Sequence, residues 1–133
     1  MRETSTAPLL GWSRSFPATP EQAGEARRFL AAILGGHPAD DAIILCLSEL
    51  VTNATIHSRS QQPGGWLTVR VQRRDDHVRV EVCDQGGPWT ETAHENGQAG
   101  RGLLIVDRLA STWGRSGNAE TGWITWFELD PCS

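Results

Sequence analysis

Residues 40–57 read DDAIILCLSELVTNATIH and are the most informative stretch for the architecture of the protein. Its apolar residues recur at helical spacing and form one stripe, which predicts an amphipathic helix packed against a core. Glu49, Asn53 and His57 follow one another at four-residue steps, so they lie on successive turns beside that stripe. The predicted helix therefore carries a row of polar groups at the margin of the core.

A second helix is predicted upstream of this stretch. Thr19 can cap its start, Pro20 suits the first helical position because it lacks an N–H group, and Gln22 can reach back to the cap. The helix should run to about Leu34, because the two glycines that follow tolerate the positive φ that ends many helices.

Hydrophobic alternation with a period of two predicts strands in the second half of the chain. Residues 66–71 and 78–82 alternate apolar with polar side chains, so they should form a hairpin that turns at residues 75–76. Residues 123–129 are apolar enough for a largely buried final strand. A short edge strand is expected within residues 8–18.

A glycine-rich loop and a third helix are expected between the hairpin and the final strand. Residues 85–102 contain only one large apolar residue, Trp89, and should form a long surface loop. After the loop, apolar residues at helical spacing predict a helix from Leu103 to Trp113, ended by Gly114.

Composition limits the classes of function. A chain of 133 residues fits one domain, and 38% hydrophobic with 21% charged residues is typical of a folded globular protein. The net charge of −4 makes nucleic acid an unsuitable partner, and the absence of lysine removes any lysine-based phosphate clamp. The three cysteines are widely spaced, which favours reduced thiols in a cytoplasm. No apolar run is long enough for a membrane span, and the N-terminus lacks a signal-peptide core. We therefore expect a soluble cytoplasmic protein that binds no membrane.

The first chemically informative motif spans residues 49–54 of the central helix and reads ELVTNA. A carboxylate and an amide one turn apart can divide the work of phosphoryl transfer. The amide oxygen of Asn53 would ligate Mg²⁺, while Glu49 would orient or deprotonate the attacking hydroxyl. The alternative is a solvated helix face without such a role, and it is the better interpretation of this motif taken alone.

The second motif, Asp84-Gln85-Gly86-Gly87-Pro88, lies where a strand of alternating valines ends. A carboxylate in this position can accept a hydrogen bond from the exocyclic amine of adenine, and adjacent glycines let a flat ring approach the backbone. An ordinary turn is the equally good alternative, because turns prefer these residue types.

The third motif, Gly100-Arg101-Gly102-Leu103, leads into the third predicted helix. Free backbone N–H groups in a first helical turn, helped by the helix dipole, form a site for phosphates, and Arg101 would add positive charge. A glycine pair before a helix is common, so this motif alone is a weak signal.

Taken together, the three motifs resemble those of the GHKL-type (Bergerat) ATP-binding fold, and above all its branch of anti-sigma-factor serine/threonine kinases. The resemblance covers residues 8–129. It implies an α+β fold, a two-layer sandwich of a mixed, mostly antiparallel sheet with helices on one face. It also implies a flexible N-terminus at residues 1–7, an ATP-binding domain at residues 8–130, and ATP and Mg²⁺ as cofactors.

The resemblance also assigns roles to individual residues. Glu49 stands at the general-base position and Asn53 at the Mg²⁺ position. Asp84 and Gly86 match the glycine box in which the aspartate binds adenine. His57 stands where this branch often has a histidine, and it receives no role. The second glycine box, near the phosphates, is matched by Gly100 and Gly102, with Arg101 and Leu103 completing the expected nucleotide-binding set.

Two functions of different classes remain open. As a kinase, the protein would transfer the ATP γ-phosphate to a serine or threonine of a STAS-type antagonist and bind a sigma factor; the presence of Glu49 favours this hypothesis. As a non-catalytic binding module, it would hold a regulator with an affinity tuned by nucleotide. The glycine-rich loop is short for an ATP lid, and this favours the second hypothesis. A histidine-kinase fragment and an ATP-hydrolysing machine are weaker alternatives. A homodimer stays open.

Overall fold

The secondary structure follows the predicted order with one exception near the C-terminus. The computed structural model describes residues 8–37, 39–57, 64–86 and 98–130, apart from the side chains of residues 20, 56, 57 and 98–102. The elements, in chain order, are β1 (Leu10–Pro17), α1 (Pro20–Leu34), α2 (Asp40–His57), β2 (Trp66–Arg74), β3 (His77–Cys83), α3 (Gln98–Leu109), β4 (Thr112–Asn118) and β5 (Gly122–Leu129).

The strands form one sheet in the order β1-β2-β3-β5-β4. Each neighbouring pair is antiparallel, including the hairpin of β2 and β3 that turns at residues 75–76. The α+β class is confirmed. The mixed sheet that we expected is not found among the described strands, because all of their pairings are antiparallel. β1 lies at one edge of the sheet, as predicted, and β4 lies at the other.

One face of the sheet is buried beneath the helices. Along β3 and β5, buried residues alternate with half-buried ones, as the pleat of a strand requires. The helix α2 contacts α1 and α3 on its two sides, and β3 and β5 beneath it. The largest fully buried side chains are Leu30, Leu34, Ile43, Leu47, Leu50, Val69, Val71, Val78, Val80, Val82, Val106 and Phe127.

The bounds of α1 are confirmed, but its N-terminal cap comes from the backbone. Thr19 occupies the N-cap in an extended conformation, and its hydroxyl makes no capping hydrogen bond. The N–H of Gln22 donates instead to the Thr19 carbonyl at 3.0 Å. At the other end Gly35 adopts a left-handed φ of 53°, as predicted for a glycine that ends a helix.

Two side chains, Arg73 and His37, fix the helices to the sheet. Nη1 of Arg73 donates to the carbonyls of the last two residues of α1, at 3.1 and 2.9 Å. Nδ1 of His37 accepts the N–H of Ala39 at 3.0 Å, so Nε2 carries the proton and donates to the Asp76 carbonyl at 2.7 Å. The start of α2 is therefore attached to the β2–β3 turn.

The prediction of a helix from Leu103 to Trp113 is wrong at both ends. α3 spans Gln98–Leu109, and Thr112–Asn118 form β4. The chain enters the sheet at Ser111, whose N–H donates to a carbonyl of β5 at 2.8 Å. Without β4, one edge of β5 would lack hydrogen-bond partners, so strand pairing is favoured over further helical turns. The apolar spacing of this segment does not distinguish the two outcomes.

No helix in the described part of the chain combines the length and the apolar character that crossing a membrane requires. Residues 1–7, expected to form a flexible N-terminus, and residues 87–97, the centre of the expected loop, lie outside the described residues.

Candidate functional site

The helix that carries the first motif packs against the elements that carry the other two. α2 contacts β3, after whose last residue Asp84 follows, and it also contacts α3, whose first turns contain the third motif. The fold therefore gathers all three motifs around one helix.

The polar row on α2 includes a buried amide without a partner. Asn53 has a relative exposure of only 4%, and its Nδ2 finds no hydrogen-bond partner among the described residues. Glu49, one turn earlier, is half-buried. A buried polar group left unpaired costs about 1–3 kcal/mol, so a polar ligand that reached Asn53 would remove this cost. The side chain of His57 lies outside the described part, so its role stays open.

At the end of β3, Asp84 is an almost completely buried carboxylate, with a relative exposure of 6%. Its Oδ1 accepts the N–H of Gly86 at 2.7 Å and the N–H of Trp123 at 3.0 Å. Burial raises the pKa of Asp84, while these two N–H groups and the Arg115 guanidinium oppose the rise. Since both hydrogen bonds use Oδ1, a further donor would meet Oδ2.

The segment after β3 fits against the β4–β5 turn through backbone contacts that leave no space for side chains. Gly86 has a φ of 85°, and a Cβ there would collide with the carbonyl oxygen of Ala119. Gly122 has a φ of 123°, and its Cβ would collide with the Asp84 carbonyl oxygen. Position 86 therefore requires glycine because it packs against the backbone of the β4–β5 turn. The approach of a ligand ring to Gly86 stays a prediction.

Two residues beside Asp84, Trp123 and Arg115, were missed from the sequence. Trp123 donates its N–H to the Asp84 carboxylate and accepts the Asp84 N–H at 2.9 Å. The guanidinium carbon of Arg115 lies 4.2 Å from the centre of the Trp123 ring. Strand pairing brings these residues to Asp84 from more distant parts of the chain, so no local motif marks them. The only available signal was the predicted final strand that contains Trp123.

The third motif lies inside α3 and not in a loop before it. Because α3 begins at Gln98, the N–H group of Gly100 is among those that lack a partner within the helix. The helix dipole favours an anion at this end. Leu103 is half-buried and packs against the core, so its described contacts are structural. The side chain of Arg101 is not described, and its contact with phosphate stays a prediction.

Away from the three motifs, the described residues form no metal site but do form a shallow depression. No three His, Cys, Asp or Glu side chains there come together as a metal site. A shallow depression of about 260 Å³ lies at the edge formed by β1 and β2, away from the three motifs. It is lined by Gly11, Trp12, Ser13, Arg70, Val71 and Gln72.

Known proteins resemble this chain in sequence and in fold. Residues 16–126 match the family described as the histidine kinase-like ATPase domain. The serine-protein kinase RsbW of Bacillus velezensis is 30% identical over 70% of this chain and 69% of that protein. RsbW of Bacillus subtilis is 27% identical over the same shares of the two chains. The crystal structure of the SiaB–SiaC complex from Pseudomonas aeruginosa contains a chain of the same fold, with a TM-score of 0.57, 14% identity, and coverage of 89% of this chain and 87% of that one.

Proposed function

We propose, from the premise that this chain belongs to the histidine kinase-like ATPase domain family, that it binds ATP and transfers the γ-phosphate to a protein serine or threonine. Relatives at 30% and 27% identity are named serine-protein kinases, which supports the proposed reaction class. The structural observation that carries the proposal is the buried side-chain amide of Asn53, one helical turn after Glu49. Its Nδ2 has no hydrogen-bond partner among the described residues. Residues 8–130 would form the nucleotide-binding domain.

Asp84 would select the adenine base. Its Oδ1 is already held by two backbone N–H groups, which fixes the orientation of the carboxylate. Oδ2 would accept the exocyclic amine of adenine, a charge-assisted hydrogen bond in a buried setting. Because the carboxylate cannot donate when ionised, it would reject a base that presents a carbonyl oxygen at the same position.

Asn53 would complete the phosphate end of the site, and its amide fits a nucleotide-bound Mg²⁺. A half-turn of the amide exchanges its nitrogen and oxygen, so the unpartnered position can offer an oxygen ligand to Mg²⁺ or a donor to a phosphate oxygen. Mg²⁺ is usually held by one or two protein ligands together with phosphates and water, so a single amide is a sufficient protein contribution. The ion would neutralise charge on the phosphates.

Glu49 would act as the general base. Its carboxylate would accept the proton of the attacking serine or threonine hydroxyl while the hydroxyl oxygen bonds to the γ-phosphorus. The bond from that phosphorus to the bridging oxygen breaks, and ADP keeps the electron pair. The backbone N–H groups at the start of α3, together with Arg101, would bind the phosphates and hold the γ-phosphoryl group for this attack.

We extend the proposal to the protein partners. The acceptor would be a serine or threonine of a STAS-type antagonist, and the regulated partner would be a sigma factor. The resemblance of the three motifs to anti-sigma-factor kinases supports this choice. Homodimerisation stays a prediction, which light scattering on the purified protein tests.

The test is a transfer assay with γ-labelled ATP, Mg²⁺ and a panel of purified STAS-domain proteins encoded in the same genome. Wild type should label a serine or threonine of one panel member. Glu49→Gln should keep its affinity for Mg-ADP within about twofold, because in the proposed arrangement the side chain acts on the acceptor hydroxyl and not on ADP. It should lower transfer by about 10²- to 10⁴-fold. Asn53→Ala should lower both transfer and Mg-ADP affinity.

The matched control is Glu21→Gln, the same chemical change at an exposed carboxylate in the first turn of α1, and it should transfer at the wild-type rate. Full transfer by Asn53→Ala would refute the role given to that amide. Mg-ADP binding without transfer to any panel member would favour the nucleotide-tuned binding module instead. A wild type that binds no nucleotide would reject the whole proposal.

A further inference from the structure

We propose that Arg115 is a positioning residue for nucleotide recognition, whose guanidinium holds the Asp84 carboxylate in the charged form that accepts a hydrogen bond from the base. The inference rests on the proposed function, because it names what keeps the base-selecting group of that same site competent. It is carried by the placement of Arg115 in the sheet and by a chain of contacts from Arg115 through Trp123 to Asp84.

The register of the last two strands places Arg115 on the side of the sheet that the helices cover. Arg115 pairs with Thr125 across β4 and β5, and Thr125 pairs with Val82 of β3. Directly opposed residues share a face, and both Thr125 and Val82 are buried. The guanidinium is therefore on the face where the three motifs gather, whereas most charged groups of the central strands lie on the other face.

The guanidinium is held in place by an aromatic stack. It lies 4.2 Å from the ring centre of Trp123, a distance at which a cation and an indole attract each other. Trp123 in turn bonds to Asp84 twice through its backbone, at 3.0 and 2.9 Å. The stack thus ties the position of the positive charge to the residue that anchors the carboxylate.

Arg115 supplies the positive charge near Asp84, and it acts beside the two backbone N–H groups that bond to Oδ1. Burial opposes ionisation of Asp84, and Arg115 is the charged side chain, among the described residues, that favours it. The neighbouring Cys83 lies on the opposite face of β3, and burial raises the pKa of its thiol, which keeps it neutral. From the packed helix α2, Asn53 is uncharged, and Glu49 carries the same sign as Asp84. Arginine cannot be deprotonated in a protein, so its charge persists at every physiological pH.

The consequence is that Arg115 governs which hydrogen-bonding character the site presents. An ionised Asp84 only accepts hydrogen bonds, whereas a protonated one also donates. A donor facing the adenine amine would be repelled, so loss of the guanidinium should move the acid sensitivity of nucleotide affinity to higher pH than in wild type.

The experiment begins without nucleotide. The NMR signal of the Asp84 carboxyl carbon is followed from about pH 3 to about pH 8, and it is assigned by its absence in Asp84→Asn. The titration is made on wild type, Arg115→Gln, Arg115→Lys and the control Arg70→Gln. Arg70 lies on the outer face opposite Glu81, so its variant makes the same chemical change away from Asp84. The Asp84 midpoint should rise by about one pH unit in Arg115→Gln and should stay near wild type in the other two.

Mg-ADP affinity is then measured at about pH 5.5 and about pH 7.5. Arg115→Gln should lose at least about fivefold more affinity on acidification than wild type does, and Arg115→Lys should restore most of it. If Arg115→Gln does not fold, Arg115→Met keeps the apolar stem and is used in its place. An unchanged Asp84 midpoint overturns this inference even when nucleotide binds. A wild type that binds no nucleotide overturns the proposed function first, and the titration separates the two failures.

Discussion

Asp84→Asn should weaken adenine nucleotide binding without weakening the fold. The asparagine carbonyl can keep the hydrogen bonds from Gly86 and Trp123 at 2.7 and 3.0 Å, because both of them use the same oxygen. The amide NH₂ group then takes the place of Oδ2. The NH₂ group would face the adenine amine, and both groups are hydrogen-bond donors. In wild type the adenine amine faces the charged Oδ2, which accepts its hydrogen bond.

The magnitude follows from the bond that is lost. A hydrogen bond to a charged group contributes about 1.5–3 kcal/mol, so the Kd for Mg-ADP should rise by about 10- to 150-fold.

Folding stability should not fall in Asp84→Asn. Burial raises the pKa of Asp84, so its contribution to stability is full below the pKa of the unfolded chain and is lost as pH rises through the folded pKa. An asparagine never ionises, so the free energy of unfolding at neutral pH should be equal to or above that of wild type.

Calorimetry with Mg-ADP and Mg-IDP tests the prediction, because the hypoxanthine base of IDP replaces the amine with a carbonyl oxygen. Wild type should prefer ADP, and Asp84→Asn should prefer IDP, since its NH₂ group can donate to that oxygen. Urea unfolding of the nucleotide-free proteins supplies the stability comparison. The control is Asp41→Asn, an exposed residue of α2. A Kd for ADP within about twofold of wild type, or an unchanged order of preference, would show that Asp84 does not bind the base.

Three further substitutions test the scaffold. Gly86→Ala should lower the free energy of unfolding by about 1–3 kcal/mol more than Gly35→Ala does. Both positions have positive φ, but only at position 86 would the new Cβ collide with a carbonyl oxygen. Urea titration of the two variants compares the losses. Arg73→Met should cost about 1–3 kcal/mol, because two hydrogen bonds to carbonyls of α1 are lost and only the Leu34 carbonyl keeps another partner, the N–H of His37. The exposed Arg70→Met should cost under about 0.5 kcal/mol, and equal losses would contradict this. Asn53→Ala should cost less than about 1 kcal/mol in thermal or urea unfolding because Nδ2 has no bond to lose, and a larger loss would reveal a structural partner.

The sequence predicted those parts of the fold in which local signals agree. The bounds of α1 and α2, the turn at residues 75–76 and the final strand are all confirmed, because glycine, proline and hydrophobic period mark them within a few residues. The resemblance to the GHKL-type ATP-binding domain is confirmed by the family match over residues 16–126. The individual roles of Glu49 and Asn53 stay predictions that the transfer assay must test.

The sequence did not predict what depends on pairing between distant segments. The first residues of β4, Thr112 and Trp113, were assigned to the preceding helix because Trp113 continues its spacing of Leu and Val. Only the free edge of β5 decides that they form a strand. For the same reason Arg115 gave no signal. Its place beside Asp84 follows from the sheet order β3-β5-β4, in which the last strand of the chain lies between the other two. Hydrophobic period assigns a strand but not its neighbours.

The glycine contacts of the β4–β5 turn have a consequence for engineering. Hairpin tips are ordinarily chosen for inserted tags and for randomised libraries, because they tolerate change. Here Gly117 and Gly122 have positive φ, and any side chain on them would collide with the backbone of Gly122 and of Asp84 respectively. A saturation library should therefore return these positions as intolerant, although they lie on the surface turn.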